Sequence, residues 1–168
     1  PQPIGYSATI SAPHMHAHVL EDLLPPLIKA SKNQPDKPLS ILDVGCGSGY
    51  LTAVFGRMVE PKENRKIPPF SPEDFVAGVE NASTSTLNTG KVYGIDVIPH
   101  LVDMTRANIQ KEDGDLFDSN TVDVLVADGW KGHPEGSPYN AIHVGAAAAT
   151  FPRDLMMQLA VDGVMVIP

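Results

Sequence analysis

The chain contains one cysteine, Cys46, in 168 residues. A single thiol excludes a disulfide framework and an all-cysteine metal site, and it suits a reducing compartment. Basic residues are also scarce: 12 Lys and Arg stand against 20 Asp and Glu, for a net charge of −8 and a pI of about 5.0. A protein that wraps nucleic acid needs a basic field to meet phosphates, so no nucleic-acid partner is expected. A small anionic ligand held by backbone amides stays open. No apolar run approaches the roughly 18 residues of a membrane helix, and no basic-then-apolar stretch opens the chain. The expectation is a protein without a membrane partner, placed in the cytoplasm. What is present is an ordinary globular composition, 42% hydrophobic and 19% charged, too apolar for a disordered tail. The length suffices for one domain that buries roughly 70% of its unfolded surface.

Residues 1–13 (PQPIGYSATISAP) are a lead-in rich in Pro, Gly, Ser and Thr, too punctuated for a helix. From His14, Met15, Val19, Leu20, Leu23, Leu24, Leu27 and Ile28 recur at helical spacing, and Pro25-Pro26 is expected to kink or shorten that helix. A polar linker follows at 31–38. LSILDV (39–44) reads as a buried strand running into GCGSGY (45–50), with a helix over 51–59. Further strands are read at 91–96, 122–128, 139–144 and 163–167, with helices at 99–112 and around 152–160. This alternation predicts an α/β fold with a mostly parallel sheet and helices on both faces. Residues 60–90, polar and Pro-rich with a Ser/Thr tract, read as a surface-loop insertion. Asn81-Ala82-Ser83 within it fits a glycosylation sequon, to which no function is assigned.

The chemistry concentrates at Asp43-Val44-Gly45-Cys46-Gly47-Ser48-Gly49, where strand turns into helix. Glycines there let a ligand approach the backbone, and the helix start offers free amides. A dinucleotide loop uses G-x-G-x-x-G. Here the third glycine arrives one position early and Tyr50 occupies the dinucleotide position, which suits S-adenosylmethionine better. A second acid at the end of the next strand should hold ribose hydroxyls, and Asp96 is that residue. It lies 51 positions after Gly45, and removing about 25–30 inserted residues restores the spacing of approximately 20. Asp128-Gly129 ends a third strand, where an adenine can be read by side chain and backbone. Taken singly, a glycine loop closes a turn and a strand-end aspartate caps a helix; three acids in order on successive strands favour a cofactor.

PIGYSATISAPHMHA (3–17), ILDVGCGSGYLTA (41–53), VYGIDVIPHLVD (92–103) and PYNAIHVGAAA (138–148) together resemble the protein-L-isoaspartate (D-aspartate) O-methyltransferase family, in its eukaryotic form. The resemblance covers nearly the whole chain outside 60–90. It implies a Rossmann-like methyltransferase fold with five visible strands in the order 3-2-1-4-5. It also implies methyl transfer from S-adenosylmethionine to the free carboxylate of isoaspartyl residues, and of D-aspartyl residues, in damaged proteins. The ester then collapses to a succinimide whose hydrolysis returns some normal aspartate. By the same resemblance Ala8, Thr9, Ile10 and Ser11 lie over cofactor and substrate, Ser11 is the active-site serine, and His16 is a cofactor-side histidine. Gly45, Gly47, Asp96, Val97, Asp128 and Gly129 complete the cofactor pocket, to which Asp43, Cys46 and Gly49 of the loop are added. The substrate side is assigned to Thr9, Ser11, His143 and Gly145.

Bland alternatives stand beside these. Ser11 also reads as a helix-entry cap before Pro13, His143 as a packed strand-end histidine, Cys46 as an inert small side chain and Trp130 as half-buried packing. The Ala146–Ala149 run allows close backbone packing. His14, His16 and His18 alternate, but on a helix they lie about 200° apart at each step and do not converge on a metal. A carboxylate acceptor is already ionised at neutral pH, so no general base is required. The family extends beyond both ends of this sequence, so the expectation is an incomplete methyltransferase domain over 1–168 that acts as a monomer. Two other functions remain in play: a small-molecule methyltransferase, and a truncated cofactor-binding module without turnover.

Overall fold

The computed structural model describes residues 1–64, 87–147 and 150–167. Most of the expected insertion, its sequon and two alanines of the Ala146–Ala149 run lie outside the described residues. In chain order the elements are strands β1 (Gln2–Gly5) and β2 (Ala8–Ile10), helix α1 (Pro13–Asn33), β3 (Leu39–Val44), α2 (Tyr50–Val59), β4 (Gly90–Asp96), α3 (Pro99–Asp113), α4 (Asp115–Asp118), β5 (Val122–Val126), β6 (Tyr139–Val144), α5 (Arg153–Met157) and β7 (Leu159–Val166).

The main sheet has the order β5-β4-β3-β6-β7, and all four of its pairings are parallel. This is the expected 3-2-1-4-5 arrangement of a Rossmann-like methyltransferase. β3 sits at its centre because nearly every residue of LSILDV is buried, as a strand covered on both faces requires. Leu39 and Ile41 point to one face and pack with Leu23, Leu27, Phe55 and Ile109 from α1, α2 and α3. Leu42 and Val44 point to the other, with Ile95, Tyr139, Ile142 and Leu155 of α5. From β3 the chain moves first to β4 and β5 and then crosses back to β6. The strand order therefore reverses beside β3, and a crevice opens beyond the carboxyl ends of the strands.

Three local expectations are corrected. Residues 2–10, read as a non-helical lead-in with no strands assigned, form an antiparallel hairpin of β1 and β2. Pro25 and Pro26 do not shorten α1, which runs 21 residues through both. Each proline removes a backbone donor. Burial of Leu23, Leu24, Leu27 and Ile28 against the sheet, at roughly 1.5–3 kcal/mol per side chain, outweighs that loss. Finally, β7 begins at Leu159, four residues earlier than read, because an irregularity between its two paired stretches, with Asp162 at φ 64°, lets both pair with β6.

Candidate functional site

The glycine loop is built on a rigid base. Hydrogen bonds continue past the strand ends: the Gly45 and Cys46 amides donate to the Ile95 carbonyl at 2.8 and 3.1 Å, and the Gly145 amide donates to the Val44 carbonyl at 2.7 Å. Gly45, Gly47 and Gly49 all adopt positive φ, at 78°, 54° and 83°. At Gly49, the N-cap of α2, glycine is required twice over. An added Cβ would lie 2.8 Å from the Thr105 methyl as well as in a left-handed backbone.

Helix α3 holds this loop through two side chains that carry no local sequence signal. The Thr105 hydroxyl donates to the Gly47 carbonyl at 2.8 Å, and the Asn108 amide donates to the Ser48 carbonyl at 3.0 Å. Thr105 also lies 3.5 Å from the Cys46 sulfur. Cys46 is buried, and burial together with the nearby Asp43 charge pushes its thiol up to about 12. The inert reading of Cys46 therefore holds against the reactive one.

Asp43 lies behind the loop and does not reach the crevice. It is 1% exposed; one carboxylate oxygen accepts the Thr52 hydroxyl at 2.5 Å, and the other lies 2.8 Å from His143 Nδ1. Asp43 and His143 are register partners on β3 and β6, so their side chains meet on the same face. His143 is thus a packed strand-end histidine tied to Asp43. His16, on the first turns of α1, stacks on Tyr50 with ring centroids 5.1 Å apart. Burial and the neighbouring His143 lower its pKa.

In front of the loop lies a cavity of about 520 Å³. Of the residues selected from sequence, Ala8, Thr9, Gly45, Gly47, Asp96, Val97, Asp128, Gly129 and Gly145 line it. Ile10, Ser11, His16, Asp43, Cys46, Gly49 and His143 do not. Ser11 is exposed just outside and caps no helix, because the N-cap of α1 is Ala12 without a side-chain bond. Sequence reading missed the apolar walls from Ile95, Ile98, Leu101, Val144 and Leu155, and the contribution of Tyr6 and Ser7 at the hairpin tip. Trp130, 49% exposed, also lines the cavity.

Two carboxylates face this space. Asp96 is oriented by backbone donors, Gly47 N–H at 3.3 Å to one oxygen and Ile98 N–H at 3.0 Å to the other. Each oxygen keeps acceptor capacity for a ligand hydroxyl. Asp128 accepts the Trp130 amide at 3.0 Å, at the end of a β5 extension secured by the Ala127 amide on the Asp96 carbonyl. Among the described residues that line the cavity there is no Lys or Arg. Lys131, outside the lining, lies 3.8 Å from Asp128 Oδ2, so Asp96 is the acid left to meet a ligand without a Lys or Arg beside it among the described residues.

The chain matches the family model described as protein-L-isoaspartate (D-aspartate) O-methyltransferase over residues 1–71 and 74–168. It is 43% identical over 172 residues to protein-L-isoaspartate O-methyltransferase 2 of Arabidopsis thaliana, covering 100% of this chain and 43% of that protein. It is 40% identical over 169 residues to the wheat (Triticum aestivum) protein-L-isoaspartate O-methyltransferase, covering 100% of this chain and 58% of that protein. A Plasmodium falciparum protein assigned to the same kind of methyltransferase, solved in complex with S-adenosyl-L-homocysteine, superposes with a TM-score of 0.70 at 28% identity. That superposition covers 100% of this chain and 65% of the other. The chain thus spans 43% and 58% of the length of the two plant relatives.

Proposed function

The chain belongs to the protein-L-isoaspartate (D-aspartate) O-methyltransferase family, and from that premise we propose that it serves protein repair. In this reading it transfers a methyl group from S-adenosylmethionine to the free carboxylate of L-isoaspartyl and D-aspartyl residues in damaged proteins. The resulting ester leads through a succinimide to normal aspartate. The observation that carries the reading is the crevice itself. Two carboxylates, a backbone-lined glycine turn and apolar walls meet at the point where strand order reverses.

The residues present fit the cofactor. Asp96, with both oxygens already oriented by amides, would accept the ribose hydroxyls. Asp128 and Gly129 would meet the adenine, with Trp130 beside them. Gly45 and Gly47 would let the aminoacyl end approach the backbone, and Val97 would pack on the ribose side. Cys46, Gly49, Asp43 and His16 then act at one remove, by holding the loop and the start of α2. When bound, S-adenosylmethionine would supply an electrophilic methyl carbon on a sulfonium.

The chain's own contribution is placement and dryness. Ala8 and Thr9, from the hairpin, line the cavity and would help exclude water from a bound acceptor. The exposed Ser11 hydroxyl, not used as a helix cap, would donate to the acceptor carboxylate and hold it in line. Thr9 and Gly145 would border the acceptor, with His143 behind Gly145 and Ile10 fixing the approach of the strand to α1. No base is needed, since the acceptor is ionised at neutral pH.

In the same reading residues 1–168 belong to one methyltransferase domain that acts as a cytoplasmic monomer on isoaspartyl proteins and peptides, without nucleic acid. Among the described residues no helix is long and apolar enough to cross a membrane. The test is methyl incorporation into paired peptides that differ only in an isoaspartyl or an aspartyl linkage. Labelling of the isoaspartyl peptide alone is expected; equal labelling of both, or of neither, contradicts the proposal.

A further inference from the structure

The hairpin that roofs the cavity is weakly held by its own structure. β1 and β2 pair over three or four residues, and an isolated two-stranded hairpin is marginal in water. Its tip carries further strain. Tyr6 and Ser7 are consecutive non-glycine residues with φ of 52° and 59°, a left-handed conformation that persists only where surrounding contacts impose it. Two contacts outside the hairpin are in place to do so. On β1, Ile4 packs over the glycine loop, its Cδ1 lying 3.4 Å from where a Cβ on Gly47 would stand. At the tip, the Tyr6 ring stacks on His100, centroids 5.0 Å apart and planes only 8° from parallel.

His100 is in the first turn of α3, four residues past Asp96, and is exposed. It does not line the cavity, whereas Tyr6 does. At the cavity's edge the ring pair therefore joins the strap that leads into α1 to the helix that follows Asp96. We infer that His100 is a positioning residue that acts through Tyr6, latching the hairpin across the cavity so that ligand exchange requires breaking this one stacked pair. The inference rests on the nucleoside-binding reading above.

A latch formed in both the free and the loaded chain slows entry and exit alike, so its signature is kinetic. Loss of one aromatic pair should speed both by about two- to tenfold. The experiment measures association and dissociation of S-adenosylhomocysteine by stopped flow, using Trp130 fluorescence, in the full chain. His100→Ala is expected to accelerate both rates together with a smaller change in Kd. His100→Phe, which keeps a ring to stack, should retain the wild-type rates. Tyr6→Leu breaks the same pair from the other side and speeds association likewise, which keeps the test available should His100→Ala fail to fold. Unchanged rates in His100→Ala overturn the latch while leaving the binding reading intact. So does faster dissociation alone, which would mean that the ring touches the ligand. Failure of the wild-type chain to bind S-adenosylhomocysteine overturns the binding reading, and the latch with it.

Discussion

Gly49→Ala probes how the loop is pinned to α3, and the structure supplies two separate costs. Gly49 sits at φ 83°, ψ 0°, a left-handed conformation that costs an L-residue about 1–2 kcal/mol. The new Cβ would also stand 2.8 Å from Thr105 Cγ2 and 3.3 Å from both the Cα and the carbonyl oxygen of Thr105. The last two are backbone atoms of α3 and cannot rotate away, so an overpacking cost of roughly 1–3 kcal/mol adds to the first. The sum is a loss of about 2–5 kcal/mol in unfolding free energy, read from urea melts. Adding Thr105→Ser removes the methyl at 2.8 Å but keeps the hydroxyl that bonds the Gly47 carbonyl. The double variant should recover about 1 kcal/mol and no more, because the backbone term remains. A Gly49→Ala protein within about 0.5 kcal/mol of wild type would refute both terms. Complete recovery by Thr105→Ser would refute the backbone term alone.

Three further outcomes follow from neighbouring residues. Arg57, 8% exposed, bonds Glu60, Asp113 and Asp115 at 2.7–2.8 Å and ties α2 to α3 and α4; Arg57→Ala should lower unfolding free energy by about 3 kcal/mol, with Arg57→Lys losing less. The pKa of His16 is lowered below its ordinary 6.5 by burial and by His143, so the unfolded chain binds the proton first as pH falls. The stability His16 contributes is full above pH 6.5 and is lost as pH drops from there toward the lowered folded value, and His16→Asn should flatten the slope of Tm against pH in that window. Cys46, buried with its thiol pushed up to about 12, should resist Ellman's reagent at pH 8 in the folded chain and react at once in urea. Rapid labelling without denaturant would refute that burial.

The central strands were legible because apolar runs such as LSILDV announce a strand covered on both faces, and the glycine turn after it marks the crevice, whereas their order came from the family resemblance. Asp96 and Asp128 were legible for the same reason: strand ends in a doubly wound sheet converge on one edge. The hairpin was not. Its turn uses Tyr6 and Ser7 in left-handed conformations rather than the Asn-Gly or Asp-Gly that signals such a turn locally. The tip is held from α3, more than ninety residues away in sequence. Asp43 lay in the right motif, yet the register of β3 with β6 turns it toward Thr52 and His143, behind the cavity wall. Thr105, on the apolar face of its helix, and Asn108 carry no sign of their role in the sequence, because what they hold is backbone carbonyl of a distant loop.

The proposed function depends on the crevice holding an adenosyl nucleoside of the methyl donor, and calorimetric titration with its demethylated product tests this directly. One-to-one binding of S-adenosylhomocysteine is expected, severely weakened by Asp96→Ala, with no binding of NADH to the same chain. Binding of NADH in preference, or S-adenosylhomocysteine affinity unchanged by Asp96→Ala, would contradict it.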